Sequence, residues 1–148
     1  MASISIEEYK KITQKEKKKR SYTHKERKHQ IAYVKWFKKQ YPKVLLVAIP
    51  NGESRDSDRR VAIIRGQILK SMGVHAGALD ILIPQWHLWV EIKDIGGRLS
   101  KEQEEFLCCV KESGYDVIVA EGIDEAIAKT QDFVRSVRSK FVPICHNH

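Results

Sequence analysis

Two short apolar runs separated by four residues constrain the fold of this chain more than any other feature of its sequence. Leu79 to Ile83 and Leu88 to Lys93 are rich in branched and aromatic residues, and Pro84-Gln85-Trp86-His87 lies between them. Runs of this length and composition are typical of β-strands. A four-residue connection joins antiparallel neighbours, because parallel strands need a crossover of a dozen residues or more. The sequence therefore predicts a β-hairpin.

The predicted hairpin brings two carboxylates and a lysine to one end of the sheet. If Ile83 faces Leu88 across the loop, the same register places Asp80 opposite Glu91. Side chains alternate along a strand, so Glu91 and Lys93 share one face. Opposed like charges destabilise a sheet, so the two carboxylates need a cation between them or one must hold a proton.

A hard divalent cation is one solution for this pair of carboxylates. Mg²⁺ takes oxygen ligands and keeps waters that a substrate can replace, and a nearby lysine could position or activate an attacking water. The same spacing also fits a simple Asp/Glu–Lys network on the surface, because such a pattern is common by chance. A register slip of one residue would separate the carboxylates altogether. The hairpin alone leaves these interpretations open.

The segments around the hairpin predict a mixed α/β domain, with a central mixed sheet that contains the hairpin and is flanked by helices. Pro42 ends the first helix, and Ser100 with Gln103 three residues later predicts a capping box at the start of another. Helical periodicity is found over 25–40, 58–72, 100–113 and about 123–137, and strand-like runs over 44–49 and 116–120.

Apolar stripes on two of these helices define faces that we expect to pack. A polar residue extends an apolar face on the first helix and on the helix that begins at Ser100. Glu26 heads the row that ends at Phe37, which favours a metal-binding or hydrogen-bonding role, although the helix dipole explains a carboxylate at that end equally well. Gln103 precedes Phe106 and Val110, so its amide should face the sheet as well as cap the helix. The stripes are Ile31, Val34 and Phe37, widened by Tyr33 and Tyr41, in the first helix, and Val61, Ile64, Ile68 and Met72 in the second.

The positive charge of the chain is concentrated near its start. The segment from Lys10 to Lys28 holds ten Lys/Arg and two Glu, a net charge of +8 that equals the net charge of the whole chain. One basic block on a neutral body is typical of an arm that binds phosphate backbones; a solvated or disordered leader fits the charge equally well. We expect a basic leader at 1–24, one domain over 25–140 and a tail at 141–148.

Nothing in the composition indicates export or a membrane. No apolar run approaches the roughly 20 residues that span a bilayer, and the first residues lack the regions of a secretory signal. The three cysteines include adjacent Cys108 and Cys109 in a helical segment, which argues against a disulfide framework and predicts small buried apolar side chains. We therefore expect a cytoplasmic protein without a membrane partner.

Five short stretches between about Lys25 and Thr130 carry a specific pattern. In this order and spacing they resemble the VRR-Nuc branch of the PD-(D/E)xK nuclease superfamily. One departure is Leu79, because the family usually has proline before its aspartate; proline supplies no ligand, so the site is little affected. The stretches are Glu26 with His29-Gln30, Ile49-Pro50-Asn51-Gly52, Gly77-Ala78-Leu79-Asp80, Glu91 through Gln103, and Gly114-Tyr115-Asp116-Val117.

The resemblance implies a restriction-endonuclease-like nuclease domain over 25–140 that binds Mg²⁺ or Mn²⁺. Lys93 would be the catalytic lysine and Gln103 a supporting catalytic residue. Small stand-alone members, often viral or bacterial, look like homodimers that cut branched DNA such as Holliday junctions, in the cytoplasm of a bacterium or a phage-infected host. The implied metal ligands are Asp80, Glu91, the carbonyl of Ile92, and Glu26.

Further basic and polar residues are candidates for contact with DNA. Those in the turn after Asn51 could equally form salt bridges with Asp56 and Asp58. A nucleic-acid-binding module that does not cut, and a restriction-type enzyme that cuts at a specific sequence, remain alternatives, although 148 residues leave little room for a target-recognition region. The candidates for DNA contact are Asn51, Arg55, Arg59, Arg60 and Lys101.

Overall fold

The computed structural model describes residues 25–49 and 59–140. The predicted leader, the predicted turn with Asn51 and Arg55, and the predicted tail lie outside these residues. Within them, helices and strands alternate along most of the chain. Their order is α1 (25–40), β1 (Val47–Ala48), α2 (Arg59–Ser71), β2 (Ile81–Ile83), β3 (Leu88–Lys93), α3 (Lys101–Glu112), β4 (Asp116–Glu121) and α4 (Gly122–Lys140).

The four strands form one mixed sheet in the order β1-β2-β3-β4. β2 and β3 pair antiparallel with Ile83 opposite Leu88, so the predicted hairpin and its register are confirmed. A short 3₁₀ turn over Pro84–Trp86 and a left-handed His87, with φ of 48°, form the connection. β1 is antiparallel to β2, whereas β4 is parallel to β3, which makes β3 an interior strand.

The core lies between one face of this sheet and helices α1 and α4. Tyr33 and Phe37 of α1 are completely buried against β2 and β3, and Ala126 of α4 completes the cluster. The Tyr33 hydroxyl and the Thr130 Oγ1 are 2.9 Å apart, so a buried hydrogen bond joins the two helices. On the other sheet face, Trp89 makes an edge-on ring contact with α3.

Several predictions about packing and length are wrong. The second predicted stripe exists on α2, but this helix has no buried residue. In α1, Ile31 is 50% exposed, because the buried side of the helix is centred on Tyr33 and Phe37. The strand predicted over 44–49 is reduced to two residues, since only Val47 and Ala48 pair with β2. Cys108 and Cys109, predicted as buried, are both exposed.

Candidate active site

Glu91 is the only buried charged residue within the described part of the chain, with 1% of its surface exposed. It lies on β3 between the apolar residues Val90 and Ile92, which are themselves buried. Removing a carboxylate from water costs several kcal/mol unless charged or hydrogen-bonding partners compensate. The interactions of the Glu91 carboxylate with its neighbours therefore determine whether a buried charge is compatible with the folded sheet.

Three groups from separate parts of the chain meet the Glu91 carboxylate. Lys93 Nζ lies 2.7 Å from Oε1, and the amide nitrogen Nε2 of Gln103 donates to the same oxygen at 2.7 Å. The backbone N–H of Asp80 donates to Oε2 at 3.0 Å. A carboxylate bonded in this way is held in one orientation, with both oxygens engaged.

Asp80 lies one position before the first paired residue of β2, and its half-buried side chain is at the end of the hairpin. Because Ile81 pairs with Val90, the next step along the ladder brings Asp80 to Glu91. The hydrogen bond from the Asp80 backbone to Glu91 shows that the two residues are adjacent. The juxtaposition that hairpin spacing predicts is therefore present in the structure.

Lys93 supplies the positive charge that the predicted pair of carboxylates requires. Only 11% of its side chain is exposed. Burial would lower the pKa of Lys93, but the hydrogen bond and charge of Glu91, with the charges of Glu26 and Asp80, raise that pKa above its usual range. At neutral pH Lys93 is therefore an ammonium ion, and it acts here through its charge and its hydrogen-bond donors.

Gln103 has both roles that its position predicts. Ser100 is the N-cap of α3, and its side chain accepts a hydrogen bond from the Gln103 backbone while the Gln103 side chain accepts one from the Ser100 backbone. The amide nitrogen of the same side chain points to Glu91. The capping box thus fixes a side chain that orients the buried carboxylate.

A close approach that sequence reasoning missed holds the segment before Asp80 against α3. The buried Gly77 lies against the backbone of Glu102, with no room for a larger residue. Its N–H donates to Nδ1 of His75 at 3.1 Å. The resemblance includes Gly77 in a motif, but a sequence pattern alone does not say which backbone the glycine touches.

The side chains around Lys93 have the donor chemistry of a site for a hard cation. The carboxylates of Glu91, Glu26 and Asp80 all act on this lysine, and oxygen donors are those that Mg²⁺ and Mn²⁺ prefer. The geometry is not preassembled, however, because no group of three or more His, Cys, Asp or Glu among the described residues is arranged to hold a metal ion. In this arrangement the Lys93 ammonium ion neutralises the Glu91 carboxylate.

The predicted DNA contacts are only partly described. Arg59 and Arg60 are exposed at the start of α2. Lys101 is exposed at the start of α3, where its Nζ lies 3.9 Å from the Glu105 carboxylate. Asn51 and Arg55 lie outside the described residues. The structure therefore leaves all of these roles as predictions.

Comparison with solved structures finds a match over most of the chain. A solved structure described as a VRR_NUC domain protein superposes with a TM-score of 0.60 and 26% sequence identity. The match covers 75% of this chain and 88% of the other. No protein-family model matches the sequence, and no curated protein matches it. No helix in the described ranges is long and apolar enough to cross a membrane.

Proposed function

Because this chain has the fold of a VRR-Nuc domain, we propose that it is a nuclease that hydrolyses DNA phosphodiester bonds with a divalent metal ion. The observation that carries the proposal is the buried carboxylate of Glu91 on β3. It is held by Lys93, by Gln103 and by the Asp80 backbone. A purely structural sheet has little use for a charge in this position, since an apolar residue would pack there more favourably.

The proposed metal is Mg²⁺ or Mn²⁺. It would supply a Lewis acid for the phosphate and stabilise the charge that develops during hydrolysis. Asp80 and Glu91 would hold it, with Glu26 and the Ile92 carbonyl as further oxygen donors. Gln103 keeps the Glu91 carboxylate oriented. Lys93 provides a positive charge and N–H donors to a phosphate oxygen or an attacking water.

The proposed substrate is branched DNA, and the proposed assembly is a homodimer. Two active sites related by a two-fold axis would suit a junction with two-fold symmetry. An apolar stripe along α2, extended by Met72 directly after it, supports self-association, because such a continuous exposed stripe is more typical of an interface than of a monomer surface. The stripe is Val61, Ile64, Ile68 and Met72, which are 47%, 56%, 52% and 74% exposed.

The cleavage proposal is tested with labelled four-way junction, flap and linear duplex DNA in the presence of Mg²⁺ or Mn²⁺. We expect the wild type to cut a branched substrate and the Asp80→Asn and Glu91→Gln variants to bind it without cutting. Tight binding with every substrate left whole by all three proteins would favour a binding module instead. Cutting of linear duplex at one sequence, regardless of branching, would favour a restriction-type enzyme.

The homodimer is tested by light scattering on the Ile64→Glu variant. A carboxylate in the stripe should shift the protein to a monomer, because it would be buried in the interface without a partner. Ile63→Glu is the matched control, since Ile63 is 53% exposed and helical geometry places it on the opposite side of α2. Equal masses for the wild type and both variants would count against this interface.

A further inference from the structure

Two side chains in the first described turns of α1 lie close to a carboxylate that directly follows β3. Lys25 Nζ lies 4.0 Å from Oδ2 of Asp94, and His29 Nε2 lies 3.5 Å from Oδ1 of the same residue. Asp94 directly follows Lys93, and only 14% of its side chain is exposed. Glu26, between Lys25 and His29 in sequence, acts electrostatically on Lys93.

The positions of these side chains along α1 correspond to the positions of Lys93 and Asp94 at the end of β3. Lys25 and His29 are four residues apart, so they lie on the same side of the helix, one turn from each other. Both face the acidic Asp94, whereas Glu26 acts on the basic Lys93. Rotation or sliding of the helix would weaken both attractions together, and would bring like charges towards each other.

The His29 ring is enclosed from a second side by the start of α4. Gly122 is buried there, and a Cβ atom built on it would meet Cε1 of His29 at an ordinary contact distance of 3.7 Å. The side chain of His29 is 25% exposed. His29 is therefore packed between Asp94 and the start of α4, and a packed pair keeps its geometry better than a fully exposed pair.

We propose that Asp94 is a positioning residue which, through Lys25 and His29, fixes α1 so that the Glu26 carboxylate faces Lys93 and the metal site. In this role Asp94 acts through α1 and not as a metal ligand or a contact to the substrate. The inference rests on the proposed function, because it assigns to Glu26 a part in holding the metal. It also explains why the acidic residue after Lys93 points to α1.

The test measures metal binding without DNA, as the increase in melting temperature of the full chain during Mn²⁺ titration. In Asp94→Asn we expect the Mn²⁺ concentration for half of the maximal shift to rise roughly tenfold, as is typical when a group that orients a ligand is lost. In a Glu26→Gln background the same substitution should add no further change. A merely structural role for Asp94 would lower the melting temperature in both backgrounds without this dependence on Glu26.

His29 offers a second pair of variants that does not alter the strand end. His29→Glu should weaken the Mn²⁺ response because a carboxylate at this position repels Asp94, whereas His29→Lys should retain it because an ammonium ion there attracts Asp94. Lys28→Glu is the matched control, since Lys28 is an exposed neighbour on α1 and its reversal changes the helix charge without contacting Asp94. Asp132→Asn, which removes an exposed ion pair with Arg135, is a second control.

The outcomes separate the two proposals. A wild type that shows no Mn²⁺ response overturns the proposed metal-dependent function, and this inference with it. A wild type that responds, with Asp94→Asn and His29→Glu responding at the same concentration, overturns the positioning role alone. An equal additional loss from Asp94→Asn in the Glu26→Gln background would also overturn it, because the effect would then not pass through Glu26.

Discussion

The backbone of Gly77 lies so close to the Glu102 carbonyl that a Cβ atom at position 77 would overlap that oxygen. Glu102 belongs to the first turn of α3, one residue before Gln103. Gly77 itself lies three residues before Asp80. The contact therefore sets the distance between two segments that both bind the Glu91 carboxylate.

Gly77→Ala should destabilise the protein by about 1–3 kcal/mol, the usual range for overpacking, because one of the two backbone segments must move. Gly66→Ala is the matched control: nothing lies within 4 Å of its added Cβ, and alanine in a helix interior should stabilise by about 1 kcal/mol. Urea unfolding of both variants measures the difference. A Gly77→Ala protein as stable as the wild type would show that the close approach is not maintained in solution.

Gln103→Ala should destabilise more than Ser100→Ala. Loss of the Ser100 cap costs about 1 kcal/mol, whereas loss of Gln103 removes its part of the capping box and also a hydrogen bond to a buried carboxylate, which contributes about 1.5–3 kcal/mol. Cleavage should fall roughly 10- to 100-fold in Gln103→Ala and stay near the wild-type rate in Ser100→Ala. Equal cleavage rates in the two variants would show that Gln103 acts only as a capping residue.

Lys93→Met should leave the Glu91 carboxylate buried without a cation and destabilise the protein by about 3 kcal/mol. Mn²⁺ should restore more stability to this variant than it adds to the wild type, because no ammonium competes for Glu91. Differential scanning fluorimetry with and without Mn²⁺ measures both effects, and cleavage should be absent. A smaller Mn²⁺ shift in Lys93→Met than in the wild type would contradict competition between lysine and metal.

The wild type should lose stability between pH 10 and pH 12 in part through Tyr33. Burial raises the pKa of Tyr33 to about 12, against a smaller opposing effect of the hydrogen bond with Thr130. In the unfolded chain the Tyr33 hydroxyl ionises near pH 10, so the folded state binds more protons across this range. The free energy of unfolding therefore falls as pH rises, by about 2–3 kcal/mol in total.

Tyr33→Phe isolates that contribution. Its unfolding free energy should depend less on pH between 10 and 12, although it begins lower because Thr130 loses a partner. The raised pKa of Lys93 gives a loss of the same sign above about pH 10.5, and that loss should persist in Tyr33→Phe. Identical pH profiles for the two proteins would exclude ionisation of Tyr33 as a cause.

Local rules predicted the part of the site that lies on the hairpin. The four-residue loop determines the register, the register places Asp80 beside Glu91, and alternation places Lys93 on the same face. The capping box at Ser100 likewise follows from residues three apart. These features depend on short separations along the chain, where geometry leaves few alternatives.

The predictions that failed depend on contacts between elements that are distant in sequence. Periodicity defined an apolar face on α2, but it could not show that no element within residues 25–49 and 59–140 covers that face. The same limit applies to Cys108, which lies on the exposed side of α3. The contact of Asp94 with His29 joins residues 65 positions apart, and no local pattern in the sequence signals it.

The hydrogen bond between Tyr33 and Thr130 joins residues 97 positions apart. At a synthesis rate of 5–20 residues per second, Thr130 follows Tyr33 out of the ribosome on the order of ten seconds later. During that interval the aromatic side of α1 has no α4 to cover it, even after β2 and β3 have been made. The nascent chain thus passes through a stage in which Tyr33 and Phe37 lack part of their cover, and this side of the core closes only after α4 has been synthesised.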